Sequence, residues 1–265
     1  MFHGSRTGLM GTGLDVLMIG EEASLLRTAW ERIVAETGRL HGMFNRFDPS
    51  SELSLINRRA ATSPVSLSAE WWDVLRDVGQ YHRRTLGYFD VTLRDYRKVR
   101  LDGKHRTVFF TDASVSLDFG GYAKGYALEK MRKILTASGI RQALVNFGNS
   151  SVWAMGAHPH GKTWNIGVVH PFEEGKSLKT YTLFNHSLST SGNTATHTRH
   201  IIDPHQGTYS CGRKVVAAVC GNCVDAEVLT TALMAAGDAS AGKITAAFRD
   251  VSASDIFNLQ SNLEI

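Results

Sequence analysis

The chain has 265 residues, a formal net charge of +4, and 43% hydrophobic against 20% charged residues. That composition supplies a sizeable core and excludes a disordered chain. The basic residues are dispersed, with no Lys/Arg block of the kind that marks a nucleic-acid-binding protein, although an anionic small ligand is compatible.

No apolar run approaches the roughly 20 residues of a membrane-spanning helix. Residues 1–6 lack the apolar segment and cleavage site of a signal peptide, so the sequence as it stands reads as cytoplasmic. Residues 9–19 read as a strand with glycines near its start. Residues 22–42 read as a helix through Leu25, Leu26, Ala29, Ile33, Val34 and Leu40. Asp48-Pro49 marks a turn, after which Ser50 or Ser51 caps a short helix. Ser68 caps the next helix, which carries Trp71, Trp72, Leu75, Val78 and Tyr81 and ends near Gly87. Residues 96–101 and 107–111 form a hairpin around Asp102-Gly103.

Residues 114–117 are a short apolar run leading into Gly120-Gly121 and then a helical pattern that stops at Gly139, which reads as strand, glycine turn and helix start. The glycines let the backbone take positive φ and approach a ligand closely. The first free N–H groups of a helix, with its dipole, suit an anion such as a phosphate. Asp118 precedes the turn and Lys124 sits just inside the helix. Two readings stand at this point: a ligand site, or a plain helix entry with surface charges.

Further strands are expected at 142–147, 151–156, 164–170, 178–184 and 186–190, with a turn at Ser191-Gly192-Asn193. A short strand within 200–207 is stopped by Pro204, and 215–220 is another strand. Helices follow at 225–236 and 240–248. Runs of neighbouring strands with a few long helices argue an α+β fold in a single domain, 1–265.

Two clusters have metal-ligating chemistry. Glu227 and Thr231 lie four apart on an expected helix and so share a face. A carboxylate and a hydroxyl there can hold a hard cation such as Mg2+, or they are the polar side of an amphipathic helix. Cys220 and Cys223 form a C-x-x-C pair, with His197, His200 and His205 before it and Cys211 nearby. Zinc needs a third and fourth ligand, and three cysteines are too few for a disulfide framework, so structural thiols are the expectation.

Taken together the motifs resemble the ApbE family, the FAD:protein FMN transferases, from Met10 to about Gly237. They are Met-Gly-Thr at 10–12, Phe47-Asp-Pro-Ser-Ser-Glu-Leu-Ser-Leu-Ile-Asn57, Gly87-Tyr-Phe-Asp-Val-Thr92, Leu117-Asp-Phe-Gly-Gly-Tyr-Ala-Lys-Gly-Tyr-Ala127, Leu144-Val-Asn-Phe-Gly148, Ser189-Thr-Ser-Gly192, His200-Ile-Ile-Asp-Pro204 and Thr231-Ala-Leu. The resemblance implies a two-lobed, T-fold-like α+β arrangement with FAD in the cleft between lobes. It implies Mg2+-dependent transfer of FMN from FAD to a Thr/Ser hydroxyl of an acceptor flavoprotein, with release of AMP.

By the same resemblance Met10, Phe47, Tyr88, Phe89, Asp90, Asp118, Lys124 and Ile201 contact FAD. The metal is held by the Gly121 carbonyl, Glu227 and Thr231, with Thr230 close by. His200 is the candidate general base, and Asp203 shapes its loop or orients it. Many members are lipid-anchored outside the cytoplasm, an alternative to the cytoplasmic reading.

Three departures from the family pattern stand out. Glu227 occupies a place where the family commonly has Asp, with Asp225 two residues away. Asn149 replaces the second glycine of Phe-Gly-Gly, a residue that tolerates the left-handed region. The segment between Gly192 and His200 is short. Three rival readings follow: Mg2+-dependent hydrolysis of FAD to FMN and AMP, a flavin binder without turnover, and a zinc protein.

Overall fold

The computed structural model describes residues 1–195 and 201–259. It opens with a hairpin of β1 (Phe2–Leu9) and β2 (Thr12–Ile19). The turn residues Met10 and Gly11 both take positive φ, 49° and 75°, the twist that suits a tight antiparallel pair. The single strand expected over 9–19 is therefore a turn and the second hairpin strand. β1 escapes a hydrophobic pattern because only Gly4 and Leu9 in it are buried.

Helix α1 (Ala23–Phe44) follows and buries Leu26, Ala29, Ile33, Leu40 and Phe44 along one stripe. Ser51 caps α2 (Glu52–Arg59), its side chain accepting from the Ser54 N–H, and Ser68 caps α3 (Ala69–Arg84) by accepting from the Trp71 N–H. A small sheet of β3 (Val65–Ser66), β5 (Thr107–Phe110) and β4 (Val99–Asp102), in that order, packs with α2 and α3 as a minor lobe.

Residues 114–117 form no strand, contrary to the sequence expectation. A side chain takes the place of a ladder: the Asn57 amide receives the Leu117 N–H at 2.8 Å and donates to the Leu117 carbonyl at 3.0 Å. The Asp118 N–H donates to the Val91 carbonyl at 2.7 Å. This pinned, extended run feeds α4 (Ala123–Ala137), which ends as expected before Gly139, whose φ is 72°.

The major lobe is a seven-stranded antiparallel sheet. Its strands are β1, β2, β6 (Gln142–Phe147), β7 (Ser151–Met155), β10 (His186–Gly192), β13 (Lys214–Cys220) and β14 (Val251–Asn258), in that spatial order. Helices α1, α4 and α5 (Cys223–Ala235) cover one face. The hairpin β8 (Trp164–Val169) and β9 (Ser177–Leu183) covers part of the other, its Trp164, Val168, Tyr181 and Leu183 packing on Val152, Leu188 and Ala217. With both faces covered, β13 sends Val215, Ala217 and Val219 to the hairpin and Val216, Ala218 and Cys220 to the helices. Its continuous apolar run follows from that double burial.

The remaining elements are a 3-10 helix (Tyr96–Lys98) ahead of β4, β11 (Ile202–Asp203), β12 (Thr208–Tyr209) and α6 (Asp238–Ala246). Two further expectations need correction. Ser191 and Gly192 do not turn but end β10, paired with Val216 and Val215 of β13. The strand expected within 200–207 is the two-residue β11, closed on β12 through a turn at Gly207. No helix among the described residues is long and apolar enough to cross a membrane.

Candidate active site

A cavity of about 420 Å³ opens between the lobes. The α3–β4 connection supplies Tyr88, Phe89 and Asp90, and the segment into α4 supplies Asp118, Gly121 and Lys124. The β6–β7 turn contributes Ser150, β10 Thr190 and Ser191, the β11 loop Ile201 and Pro204, and α5 Glu227 and Thr231.

Two glycines draw α4 and α5 together. A β-carbon on Gly121 would lie 2.8 Å from Thr231 Oγ1, and one on Gly125 would lie 2.7 Å from the Cys223 carbonyl and 2.9 Å from Glu227 Cβ. Neither contact tolerates a side chain, so the close approach depends on glycine. It brings Lys124 Nζ onto Glu227 Oε1 as an ion pair. The other carboxylate oxygen, Oε2, accepts from Ser151 Oγ at 2.6 Å and Ser189 Oγ at 3.0 Å. Glu227 is 4% exposed; a charge so buried needs this full set of partners.

Thr231 borders the cavity while donating from Oγ1 to the Glu227 carbonyl at 3.0 Å. Its lone pairs remain available. Thr230 differs: it is fully buried and turned into the sheet, where its hydroxyl meets those of Ser191 at 3.0 Å and Ser189 at 3.2 Å. Glu227 and Thr231 thus present hard oxygens at one cavity, which Gly121 also lines. Oε1 already faces a cation there, and this donor chemistry fits Mg2+. Asp225 faces elsewhere, accepting from Tyr81 Oη at 2.7 Å beside Arg84.

Asp118 lines the opposite rim. One of its oxygens accepts the Gly120 N–H at 2.8 Å and the other meets Arg46 Nε at 3.2 Å. Asp90 borders the cavity, but its carboxylate turns inward with no exposure. It accepts from Thr92 N, Thr92 Oγ1 and Tyr96 N at 2.7, 2.7 and 2.8 Å, which braces the loop that holds Tyr88 and Phe89. Tyr88 packs against His205, ring centroids 4.4 Å apart, and His205 Nε2 meets the Leu86 carbonyl at 3.0 Å.

Of the described sequence candidates, Met10 and Phe47 fall outside the cavity wall. Met10 sits in the β1–β2 turn, its N–H donating to His41 Nδ1 at 2.9 Å. That turn packs on Gly148: the Gly148 N–H donates to the Gly13 carbonyl at 2.8 Å, and a β-carbon on Gly148 would meet Thr12 Oγ1 at 2.7 Å. The Met-Gly-Thr and Asn-Phe-Gly motifs are thus one contact. Asn149 does adopt the left-handed conformation, at φ 53°. Phe47 is 81% exposed under the Arg46 guanidinium, 4.6 Å from its ring centroid, just outside the rim. His200 lies outside the described residues.

Of the thiols, Cys220 and Cys223 are buried and Cys211 is exposed. Burial pushes the Cys220 thiol up to about 12 and the Cys223 thiol well above its usual value. Among the described residues no group of three His, Cys, Asp or Glu side chains is arranged to hold a metal ion. Sequence reasoning gave the β10 serines no role, although Ser189 and Ser191 fall within one of the motifs. Ser187, Ser189 and Ser191 alternate on β10, and all three are on the buried or half-buried part of the sheet. A period-two run of hydroxyls where a core strand should be apolar was the available signal.

Residues 10–96 and 93–254 match the ApbE family. The chain is 27% identical over 230 residues to the FAD:protein FMN transferase of Chlamydia muridarum, covering 72% of this chain and 70% of that protein. It is 24% identical to that of Chlamydia trachomatis, covering 86% and 84%. Its fold superposes on the flavin transferase ApbE from Vibrio cholerae with a TM-score of 0.82 at 20% identity, covering 96% of this chain and 92% of that one.

Proposed function

The chain belongs to the ApbE family, and on that premise we propose that it moves the FMN half of FAD onto a threonine or serine hydroxyl of an acceptor flavoprotein. The observation that carries this reading is the convergence of Lys124, Glu227, Thr231 and Gly121 on one cavity. A diphosphate there would meet both an ammonium and a hard-oxygen donor set.

The acceptor oxygen attacks the flavin-side phosphorus and forms a phosphoester. The P–O bond to the adenosine phosphate breaks, AMP leaves with that electron pair, and the hydroxyl proton passes to a base. Such a transfer asks a protein mostly for positioning and charge neutralisation. Mg2+, held by the Gly121 carbonyl, Glu227 and Thr231, would supply Lewis-acid neutralisation of the diphosphate oxygens. Lys124 adds positive charge at the same oxygens once it leaves Glu227. Asp118, Tyr88, Phe89 and Ile201 orient the nucleotide, Asp90 through the loop it braces, while Met10 and Phe47, beyond the cavity wall, flank its flavin or adenine side. His200 takes the proton, since histidine accepts one near neutral pH.

The test incubates the purified chain with FAD and Mg2+, with and without an acceptor domain carrying the family's threonine motif. Intact mass of the acceptor and AMP release are read. A gain of one FMN, lost in EDTA and in His200→Ala, is the expected result. AMP without mass gain on the acceptor would replace transfer by FAD hydrolysis, and bound FAD with neither product would sink both.

A further inference from the structure

We infer that Ser151 and Ser189 are positioning residues that fix Glu227 as a one-oxygen ligand, and that Ser151 is what makes a glutamate workable there. The inference rests on the reading of Glu227 as a cation ligand given above. Ser151 and Ser189 are direct partners across β7 and β10, so the ladder sets their hydroxyls side by side. Each is 1% exposed. Two hydroxyls in a core sheet are costly unless they bond, and both aim at the same atom, Glu227 Oε2, at 2.6 and 3.0 Å.

A carboxylate only accepts, so each serine must donate, and such charge-assisted bonds are among the stronger ones. With Oε2 held twice, Oε1 is the one oxygen left for the cavity, where it meets Lys124. Glutamate has one more rotatable bond than aspartate, and the paired serines remove that freedom. An aspartate at 227 would end one methylene short. It could not span from the cavity to Ser151 and would not need it.

This gives a double-mutant test with Mn2+ as the probe, its binding to the full chain read by electron paramagnetic resonance with FAD present. Ser151→Ala should weaken Mn2+ by about 10–100-fold, the usual effect of removing a group that orients a metal ligand. In the Glu227→Asp background the same change should cost less than about 3-fold, a non-additivity that measures the coupling of Ser151 to Glu227. A merely structural serine would lower the melting temperature equally in both backgrounds and leave Mn2+ affinity alone, which would overturn the inference. Equal loss of Mn2+ affinity in the two backgrounds would overturn it too. Should Ser151→Ala not fold, Ser189→Ala acts on the same oxygen and carries the same comparison. Wild-type chain that takes up no Mn2+ would remove the metal reading itself, and this inference with it.

Discussion

The backbone at Gly125 lies so close to Cys223 that a β-carbon there would stand 2.7 Å from the Cys223 carbonyl oxygen. Helices α4 and α5 therefore touch backbone to backbone one residue from Lys124. That contact sets the reach of Lys124 to Glu227, 103 residues away in sequence. The site is organised by a packing constraint as much as by its charged groups.

Gly125→Ala should push the helices apart. Overpacking of this kind costs about 1–3 kcal/mol, and a helix interior cannot slide to relieve it without moving Lys124. Urea denaturation should show that loss, and FAD affinity should fall with it. Gly42→Ala, in a helix with nothing within 4 Å of its added β-carbon, is the control and should be neutral or slightly stabilising. Equal behaviour of the two variants would refute the packing argument.

Lys124→Met should leave Glu227 charged, buried and short of one partner. Removing one member of a buried pair typically costs about 3–5 kcal/mol. The loss here should be smaller, about 1–3 kcal/mol, since two serine hydroxyls still satisfy Oε2. The double variant Lys124→Met/Glu227→Gln should recover most of it in urea unfolding. A double variant no more stable than Lys124→Met would mean that the ion pair is not what balances the buried charge.

Local features were legible in the sequence. Ser51 and Ser68 cap where the pattern places them, and Gly139 takes the positive φ that stops α4. The edge strands were not. β14 has no fully buried residue, and β1 has two, so neither shows an alternating face. Their strand character comes from pairing with β13 and β2, which is not local. At the site, the glycine turn with Asp118 and Lys124 could be read, as could Glu227 with Thr231. The direction of Asp90 could not, because it depends on backbone donors at Thr92 and Tyr96 in a loop with no periodicity. Thr230 and Thr231 are adjacent and chemically alike, yet only the helix phase against β10 turns one into the sheet and the other to the cavity.

Asn149 bears on how far the chain departs from a glycine-rich turn. Its φ of 53° costs most residues about 1 kcal/mol or more, and asparagine less. Its Oδ1 also accepts from Asn146 Nδ2 at 2.8 Å. Asn149→Ala should therefore lose about 1–2 kcal/mol, from strain and the lost bond together. Asn149→Gly should lose less, since glycine keeps the conformation. Thermal melts of the two variants check the order, and an alanine variant as stable as glycine would show that strain is absent.

Asp77 gives the pH test. Burial raises its carboxyl above the ordinary range; the Tyr122 hydroxyl, 2.8 Å away, pulls it back, while the nearby Asp225 charge raises it further. A folded pKa above the unfolded value, about 3.9 for aspartate, means that the folded state binds the proton more tightly. Stability then falls as pH rises from the unfolded value through the folded one, and the penalty stands in full at neutral pH. Asp77→Asn keeps an oxygen to accept from Tyr122 and removes the charge. It should raise the melting temperature at pH 7, with the gain shrinking as pH drops toward 4, where wild type becomes protonated. A gain that is flat across that range would assign the effect to packing, and a loss at pH 7 would mean that the Asp77 charge stabilises the fold after all.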